Sequence, residues 1–395
     1  MFFILVAFIF LFAALGELAR LPIGPGNGIL PNDLLVAFTV GLWFFENLLL
    51  KRKFPHSPLW APFGAFVTVA FISLLNGSKV LDDNEILKSS LYLIRFIEYF
   101  LLTFVVLDLR LKLSNIIFSS ALLIAIFGFI QLKIYPDFTQ MAMEEGWDPH
   151  QSRLLSTWFD PNFIGGMLAF VICFASTKIL KTKNLPLIIL EAILLAALFF
   201  TYSRSAYLAL VIGLGLIGII KDRRLIIYGL IALVLLIPLS ERAQDRVQDF
   251  YHSAKSMLTE TYELPDASAR LRLDSWDNAI TIFQDHPFLG VGYNTYSYAQ
   301  TRYGFMTEDT HHAATGSDST ILTIIATTGI FGAITYLWLI ATILWLSYRR
   351  HIGFFAGFIG LLVHSIFVNS LLYTPLLIFI YVALGIILTP KSNHA

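Results

Sequence analysis

Charged residues are scarce in this chain, and cysteine is almost missing. Asp, Glu, Lys and Arg make up 14% of the 395 residues, whereas hydrophobic residues make up 57% and the mean hydropathy is +0.72. Because soluble domains carry roughly a quarter charged residues, this composition excludes an ordinary soluble enzyme and indicates a membrane protein. The single cysteine, Cys173, lies in an apolar run. A disulfide framework and a thiolate metal site are therefore excluded.

The chain also lacks two patterns found in many membrane proteins. The stretch 1–18 resembles the apolar core of a signal peptide, but it has no basic N-terminal region and no clear cleavage site. We therefore expect it to be a retained first helix. No period of about 20–50 residues repeats, and the two halves do not resemble each other. This disfavours a transporter, because transporter folds tend to be built from internal repeats.

Long apolar runs predict an all-α, polytopic membrane protein. A spanning helix needs about 20 mostly apolar residues, and this criterion predicts about 12 spans. They lie near 2–19, 34–50, 58–75, 86–107, 114–134, 162–180, 185–202, 204–220, 224–239, 318–347, 352–370 and 373–389. Residues 1–239 thus hold transmembrane helices 1–9, residues 240–317 form one large extracytoplasmic loop, and residues 318–395 hold helices 10–12.

Basic residues indicate how the chain is oriented. Lys and Arg fall in alternate short connections, at 51–53, 110–112, 178–183, 221–224, 349–350 and 391, whereas most acids lie in the opposite loops. Cytoplasmic loops of membrane proteins carry an excess of Lys and Arg. We therefore expect both termini to be cytoplasmic and residues 240–317 to be extracytoplasmic. Apolar residues at helical spacing in 240–285 predict amphipathic helices lying against the membrane surface.

A few polar residues stand out within or beside the spans. Arg95 and Glu98 are three residues apart on one helix and can pair, which favours an ion pair that positions this helix over a role in binding substrate. His364 and Asn369 are expected to form hydrogen bonds between helices. Arg204 lies in the only break between two apolar runs, on the side where basic residues are not expected. Because it also begins a helix, whose N-terminus is positive, it predicts an anion site, whereas contact with lipid headgroups is the simpler alternative.

The large loop contains two more clusters of polar residues. Arg270, Arg272 and Trp276 lie in a helical stretch, with Arg272 and Trp276 on one face, followed by a glycine-rich turn at Gly290 to Gly292. A purely structural role, in which a helix ends and is followed by a turn, explains this pattern equally well. His311 and His312 lie close to Asp318, and any of these three side chains could act as a general base. Their spacing does not support a metal site, and solvated loop histidines are the simpler alternative.

These motifs resemble those of bacterial O-antigen ligases and O-antigen polymerases. The resemblance covers most of the chain and depends on the order of its motifs, because each motif is short. They are Arg95-Phe-Ile-Glu98-Tyr, Asp160-Pro-Asn162-Phe-Ile-Gly, Tyr202-Ser-Arg204-Ser-Ala, Arg272-x-x-x-Trp276, His286-Pro-x-x-Gly290-x-Gly292 and Gly329-Ile-Phe-Gly332.

The resemblance implies a metal-independent, inverting glycosyltransferase of the bacterial inner membrane that needs no cofactor. The donor would be an oligosaccharide on undecaprenyl diphosphate, and the acceptor would be lipid A–core or another lipid-linked repeat. Arg204 and Arg272 would hold the diphosphate, with Arg270, Trp276, Arg95, Glu98, Asp160 and Asn162 in supporting roles. Membrane lipids and a chain-length regulator are further expected partners. Binding of nucleic acid is not expected.

One departure from the family bears on the general base. Family members commonly carry His-Asn where this chain has Asp318-Ser319. We place His312 first, with His311 and Asp318 as close alternatives, since a carboxylate can also activate a hydroxyl group. The missing His-Asn favours a polymerase over a ligase. A transporter or flippase of lipid-linked sugar is the main alternative, and a non-catalytic membrane scaffold is the third.

Overall fold

The computed structural model describes residues 1–24, 27–139, 148–224, 267–305 and 316–390, which are mostly helical. A short antiparallel pair, β1 (Leu21–Gly24) and β2 (Asn27–Ile29), follows the first helix. The helices are α1 Phe2–Leu15, α2 Pro31–Leu49, α3 Trp60–Gly77, α4 Asp83–Leu109, α5 Ser114–Ile134, α6 Pro161–Thr182, α7 Leu185–Phe200, α8 Arg204–Ile220, α9 Ala267–Asp285, α10 Tyr296–Arg302, α11 Thr320–Arg350, α12 Ile352–His364 and α13 Thr374–Leu388.

Seven of the described helices are long and apolar enough to cross a membrane by length and composition. They are α1 with the short turn after it, α2, α3, α4, α5, α6 and α11, and α7, α8, α12 and α13 are shorter apolar helices. An all-α, multi-pass membrane protein is thereby confirmed. Within the described ranges, each of these helices coincides with a predicted span. The predicted span 224–239 lies outside those ranges except for its first residue.

The predicted surface helices of the large loop are described only in part. Helix α9 lies in the predicted region and carries Arg272 and Trp276 on one helix, as the sequence spacing indicated. The earlier part of that region, residues 240–266, lies outside the described residues. Helix α9 packs along α11.

Helix α11 does not form one continuous span, as the prediction of 318–347 had assumed. It is broken at Gly329, which has φ 63° and ψ −164°. The part after Gly329 is about 30 Å long at the usual rise per residue, which matches the hydrocarbon thickness of a bilayer. The first turns of α11 are therefore not needed to cross the membrane.

The glycine-rich segment after α9 fills the break in α11. A residue with positive φ interrupts the helical hydrogen bonds, so the carbonyl groups before it need other partners. The backbone N–H groups of Val291 and Gly292 donate to the carbonyls of Ala326 and Thr327 at 3.1 and 3.0 Å. In return, the N–H of Ile330 donates to the carbonyl of Pro287 at 2.8 Å. Two separate sequence motifs are thus two sides of one backbone junction.

The helix bundle is centred on α6 and α13, whose side chains are mostly buried. Helices α6, α8 and α12 pack at short distance because small residues lie between them. A Cβ added to Gly360 would lie 2.5 Å from the carbonyl oxygen of Ala209. Small residues allow this close approach in membrane proteins, where packing and hydrogen bonds take the place of a hydrophobic driving force.

Candidate functional site

The start of α6 is fixed by a capping carboxylate. Asp160 precedes Pro161, and its Oδ1 accepts hydrogen bonds from the backbone N–H groups of Asn162 at 2.6 Å and Phe163 at 3.1 Å. Aspartate is a preferred N-cap residue, and proline suits the first helical position because its missing N–H would have no helical partner. The Asp-Pro-Asn motif therefore orders this helix end and points Asn162 towards its neighbours.

The connection between α7 and α8 contacts Asn162. This turn contains Tyr202 with φ 50°, and Ser203 is the N-cap of α8, so that Arg204 is the first helical residue, as predicted. The hydroxyl of Ser203 donates to Oδ1 of Asn162 at 2.9 Å. Arg204 is half-buried and lies at the positive end of α8. Two motifs that are about 40 residues apart in sequence thus form one local structure.

Arg153 is a buried cation that the sequence analysis did not single out. Its Nε donates to the carbonyl of Thr201 at 2.8 Å, and its Nη2 donates to Oδ1 of Asn162 at 3.4 Å. Arg153 therefore links the turn before α8 to the start of α6. A short polar stretch before the Asp-Pro-Asn motif was the only available signal, because Arg153 lies in a loop without periodicity.

Asp318 lies within electrostatic reach of both Arg272 and Asp160. Burial raises the pKa of Asp318, the positive charge of Arg272 lowers it, and the negative charge of Asp160 raises it. Burial also raises the pKa of Asp160, to about 6, with a further contribution from Asp148, while the backbone N–H groups that it accepts and Arg153 act in the opposite direction. Asp318, which has both a cation and the carboxyl group that caps α6 near it, is therefore the electrostatic centre of this region.

Buried donors without partners surround the same centre. In the described part of the chain, Nε1 of Trp276 and Oγ of Ser319 are buried and have no hydrogen-bond partner. Trp276 lies one turn after Arg272 on α9 and contacts the ring of Phe367, with 6.0 Å between ring centroids. Buried polar groups are normally satisfied, so exceptions close to charged residues are typical of a ligand site.

His364 and Asn369 form hydrogen bonds, as the sequence analysis expected. The buried ring of His364 bonds through Nδ1 to the hydroxyl of Ser370 and lies against Gly166 of α6. Oδ1 of Asn369 accepts from Thr323 of α11 at 3.0 Å. Both residues join helices next to the charged centre.

A model of the O-antigen ligase family matches residues 189–337. The resemblance to O-antigen ligases is confirmed. The matched segment contains Arg204, Arg272, Asp318 and the junction at Gly329, whereas Asp160 and Asn162 lie before it. No curated protein matches the chain.

Not all of the predicted residues of this O-antigen ligase-like chain lie at the charged centre. Arg95 pairs with Asp33 of α2, with 2.7 Å between Nη2 and Oδ2, so the predicted pair with Glu98 is wrong among the described residues. Tyr99 donates to the other oxygen of Asp33 at 2.6 Å. The sequence offered no reason to connect α2 with α4, because Asp33 is a first-turn acid like many others. An ion pair that positions α4 is nevertheless what the sequence analysis favoured.

The remaining predicted site residues are Arg270, His311 and His312. Arg270 is exposed, two residues before Arg272 on α9. His311 and His312 lie outside the described residues. Within the described ranges, no group of three or more His, Cys, Asp or Glu side chains could hold a metal ion.

Proposed function

We propose that this protein is a glycosyltransferase that moves a glycan from undecaprenyl diphosphate onto a saccharide acceptor at the periplasmic face of the inner membrane. The observation that carries this proposal is the convergence of Arg272, Asp318 and Asp160 beside the turn that begins α8 with Arg204. A cation for a diphosphate and a carboxylate for a hydroxyl group are what glycosyl transfer requires. The family match supports the same reaction class.

The proposed reaction is a single inverting displacement. Arg204 and Arg272 hold the diphosphate in bidentate fashion and stabilise the negative charge that develops on it. The acceptor oxygen attacks the anomeric carbon while the bond between that carbon and the diphosphate oxygen breaks. The acceptor proton passes to a general base, and undecaprenyl diphosphate leaves. The products are the extended glycan and undecaprenyl diphosphate, and the proposed reaction uses no metal ion.

Three residues are candidates for the general base. The sequence names His312 first, followed by His311 and Asp318. The geometry supports Asp318, because it lies beside Arg272 and its pKa is raised by burial. A base whose pKa approaches the working pH transfers protons more effectively than an ordinary carboxylate. Asp160 and Asn162 support the site by ordering the start of α6 and the turn before α8.

The proposed membrane arrangement has 12 spans with both termini in the cytoplasm. Residues 1–239 provide the first nine spans, residues 240–317 the large periplasmic loop, and residues 318–395 the last three. The positions of Lys and Arg support this orientation. The charged centre then faces the periplasm, the side on which lipid-linked glycans are polymerised or transferred. A chain-length regulator is an expected protein partner.

The reaction class is tested by transfer with purified protein in liposomes. Labelled lipid-linked repeats are supplied without lipid A–core and with EDTA present. For a polymerase, the choice favoured by the missing His-Asn pair, we expect a ladder of longer glycans. Transfer that requires added lipid A–core would instead identify a ligase. Labelled glycan that crosses the bilayer without a new glycosidic bond would overturn the proposal and support a flippase.

The acid side of the pH profile is expected to depend on Asp160. Wild-type kcat/KM should fall on the acid side as Asp318, whose pKa is raised, and the neighbouring Asp160, whose pKa burial raises to about 6, take up protons. In Asp160→Asn the negative charge that raises the pKa of Asp318 is gone. The acid limb should therefore move to lower pH. The measurement is kcat/KM for glycan transfer at pH values from about 4.5 to about 8, a range chosen to include the acid limb of wild type.

Thermal unfolding provides the control for this variant. The raised pKa means that folded protein binds this proton more tightly than unfolded protein, so the contribution of Asp160 to stability falls as pH rises from about 4 to about 6. Asparagine also caps helices well. The Tm of Asp160→Asn at pH 8 should therefore equal or exceed that of wild type. An acid limb that stays in place would show that neither carboxyl group titrates in the reaction, and a histidine would become the base.

A further inference from the structure

A cavity on the extracytoplasmic side has no part in the mechanism above. Its volume is about 270 Å³, close to the lower end of the range for ligand pockets. It lies between the connection from α3 to α4 and the segment that follows α9. The lining residues are Asn76, Gly77, Val80, Leu81, His286, Gly290, Val291, Thr295, Ala299, Arg302 and Tyr303.

The walls of this cavity are held by backbone and side-chain contacts. A Cβ on Gly77 would lie 2.6 Å from the carbonyl oxygen of Val291, so the end of α3 lies directly against the junction with α11. Arg302 of α10 forms an ion pair with Glu85 at the start of α4. The hydroxyl of Tyr303 donates to Asp285 at 2.8 Å. Elements distant in sequence thus enclose a preformed space.

The charged groups at the cavity are paired or acidic, apart from Lys79, which lies outside the lining and hydrogen-bonds Asn76. Arg302 is neutralised by Glu85, and Asp285 adds a negative charge beside Tyr303. Burial, with a further contribution from Asp285, raises the pKa of Tyr303 to about 12, so its hydroxyl stays neutral. Phosphate binding is proposed at Arg204 and Arg272 instead.

The polar groups that remain in the cavity suit hydroxyl groups. Among the described residues, Nδ2 of Asn76 and the ring of His286 form no hydrogen bond, while Oδ1 of Asn76 already accepts from Lys79 at 3.3 Å. Val80 and Leu81 provide an apolar surface beside them. Polar groups next to apolar and aromatic side chains match a saccharide, which presents hydroxyl groups and C–H surfaces together.

Helix α9 connects this cavity with the charged centre. Arg272 lies near its start, and Asp285, which bonds Tyr303, is its last residue. At 1.5 Å per residue these two positions are about 20 Å apart. An oligosaccharide of several sugars can extend over that distance, whereas a single reacting sugar cannot.

We propose that this cavity binds sugars of the glycan that lie several residues away from the reacting sugar. This inference rests on the proposed function and adds a specificity site to it. Either the donor glycan or the acceptor glycan could reach the cavity, and both present the same chemistry. Binding at this distance lets the protein distinguish a complete repeat from a shortened one without contacting the reacting atoms.

The inference is tested by filling the cavity from its rim. Val80 is 69% exposed, so Val80→Trp should occupy the cavity without disturbing the core. We expect KM for the complete glycan to rise about tenfold while kcat stays within about twofold, because loss of binding away from the reacting sugar is loss of uniform binding. Asn76→Ala should raise KM about fivefold, the usual effect of one lost hydrogen bond. Leu87→Trp, at an exposed position of α4 outside the lining, is the matched control.

Varying donor and acceptor concentrations separately identifies which glycan reaches the cavity. Saturation-transfer NMR with oligosaccharide released from the lipid by mild acid measures binding without transfer, and inorganic diphosphate serves as the anionic probe. Released oligosaccharide should bind to wild type and to Arg272→Ala but not to Val80→Trp. Diphosphate should not displace the oligosaccharide from wild type or from Arg272→Ala. An unchanged KM in both cavity variants, or diphosphate that displaces the oligosaccharide, would overturn the inference. Failure of wild type to transfer any glycan would overturn the proposed function instead.

Discussion

Arg272→Ala is expected to lower kcat/KM for glycan transfer by a factor of about 10²–10³, since preorganised charges at a leaving group are usually worth that much. Arg272 lies beside Asp318, so its removal also takes a positive charge away from that carboxyl group. Arg204→Ala should have an effect of similar size. Both rates are measured with the liposome assay, using lipid-linked oligosaccharide as donor.

Conservative variants separate the roles of charge and geometry at these positions. Arg272→Lys keeps the charge but loses the planar fork that binds two phosphate oxygens, so we expect an intermediate loss of about tenfold. Arg223→Ala removes an exposed arginine from a short loop on the expected cytoplasmic side and should transfer normally. Normal activity of Arg272→Ala and Arg204→Ala in folded protein would exclude the proposed diphosphate site and favour a scaffold or a transporter.

Gly290→Ala is expected to destabilise the protein by about 2–5 kcal/mol, the combined cost of backbone strain and overpacking. Gly290 has φ +64°, and a Cβ there would lie 2.3 Å from the carbonyl carbon of Thr327. Because the three nearest atoms all belong to the backbone of α11, no side chain can move aside to relieve the contact. The segment should leave the break in α11 and expose the carbonyl groups of Ala326 and Thr327. The Tm and the chemical denaturation midpoint in detergent report this loss.

Variants at two other glycines separate the effect of backbone strain from the effect of overpacking. A Cβ on Gly304 meets nothing within 4 Å although its φ is +70°, so Gly304→Ala should show the strain alone, about 1 kcal/mol. A Cβ on Gly215, within α8, also meets nothing within 4 Å. Gly215→Ala should be neutral or stabilising by up to about 1 kcal/mol, because alanine is the better helix former. Equal stability of Gly290→Ala and Gly304→Ala would show that the junction with α11 carries no packing constraint.

The charged centre could be predicted only in part from the sequence. Arg204 was recognisable because it is the one polar break between two apolar runs, and Arg272 because it shares a helical face with Trp276. Arg153 was not recognisable, since a loop without periodicity gives no sign that its cation is buried. The partner of Arg95 was assigned wrongly for a related reason: spacing along one helix identifies neighbours on that helix but not those on another, such as Asp33.

By itself, the sequence determined that this chain crosses a membrane repeatedly, and it indicated where most helices lie and which way they point. Apolar run length and the distribution of Lys and Arg act locally, so they can be read one segment at a time. Only the tertiary structure decided that the segment from Pro287 to Gly292 enters the break at Gly329, and that Asp318 lies close to both Arg272 and Asp160. Those contacts join residues far apart in the chain, and their energies depend on distance, burial and backbone geometry, which no local pattern encodes.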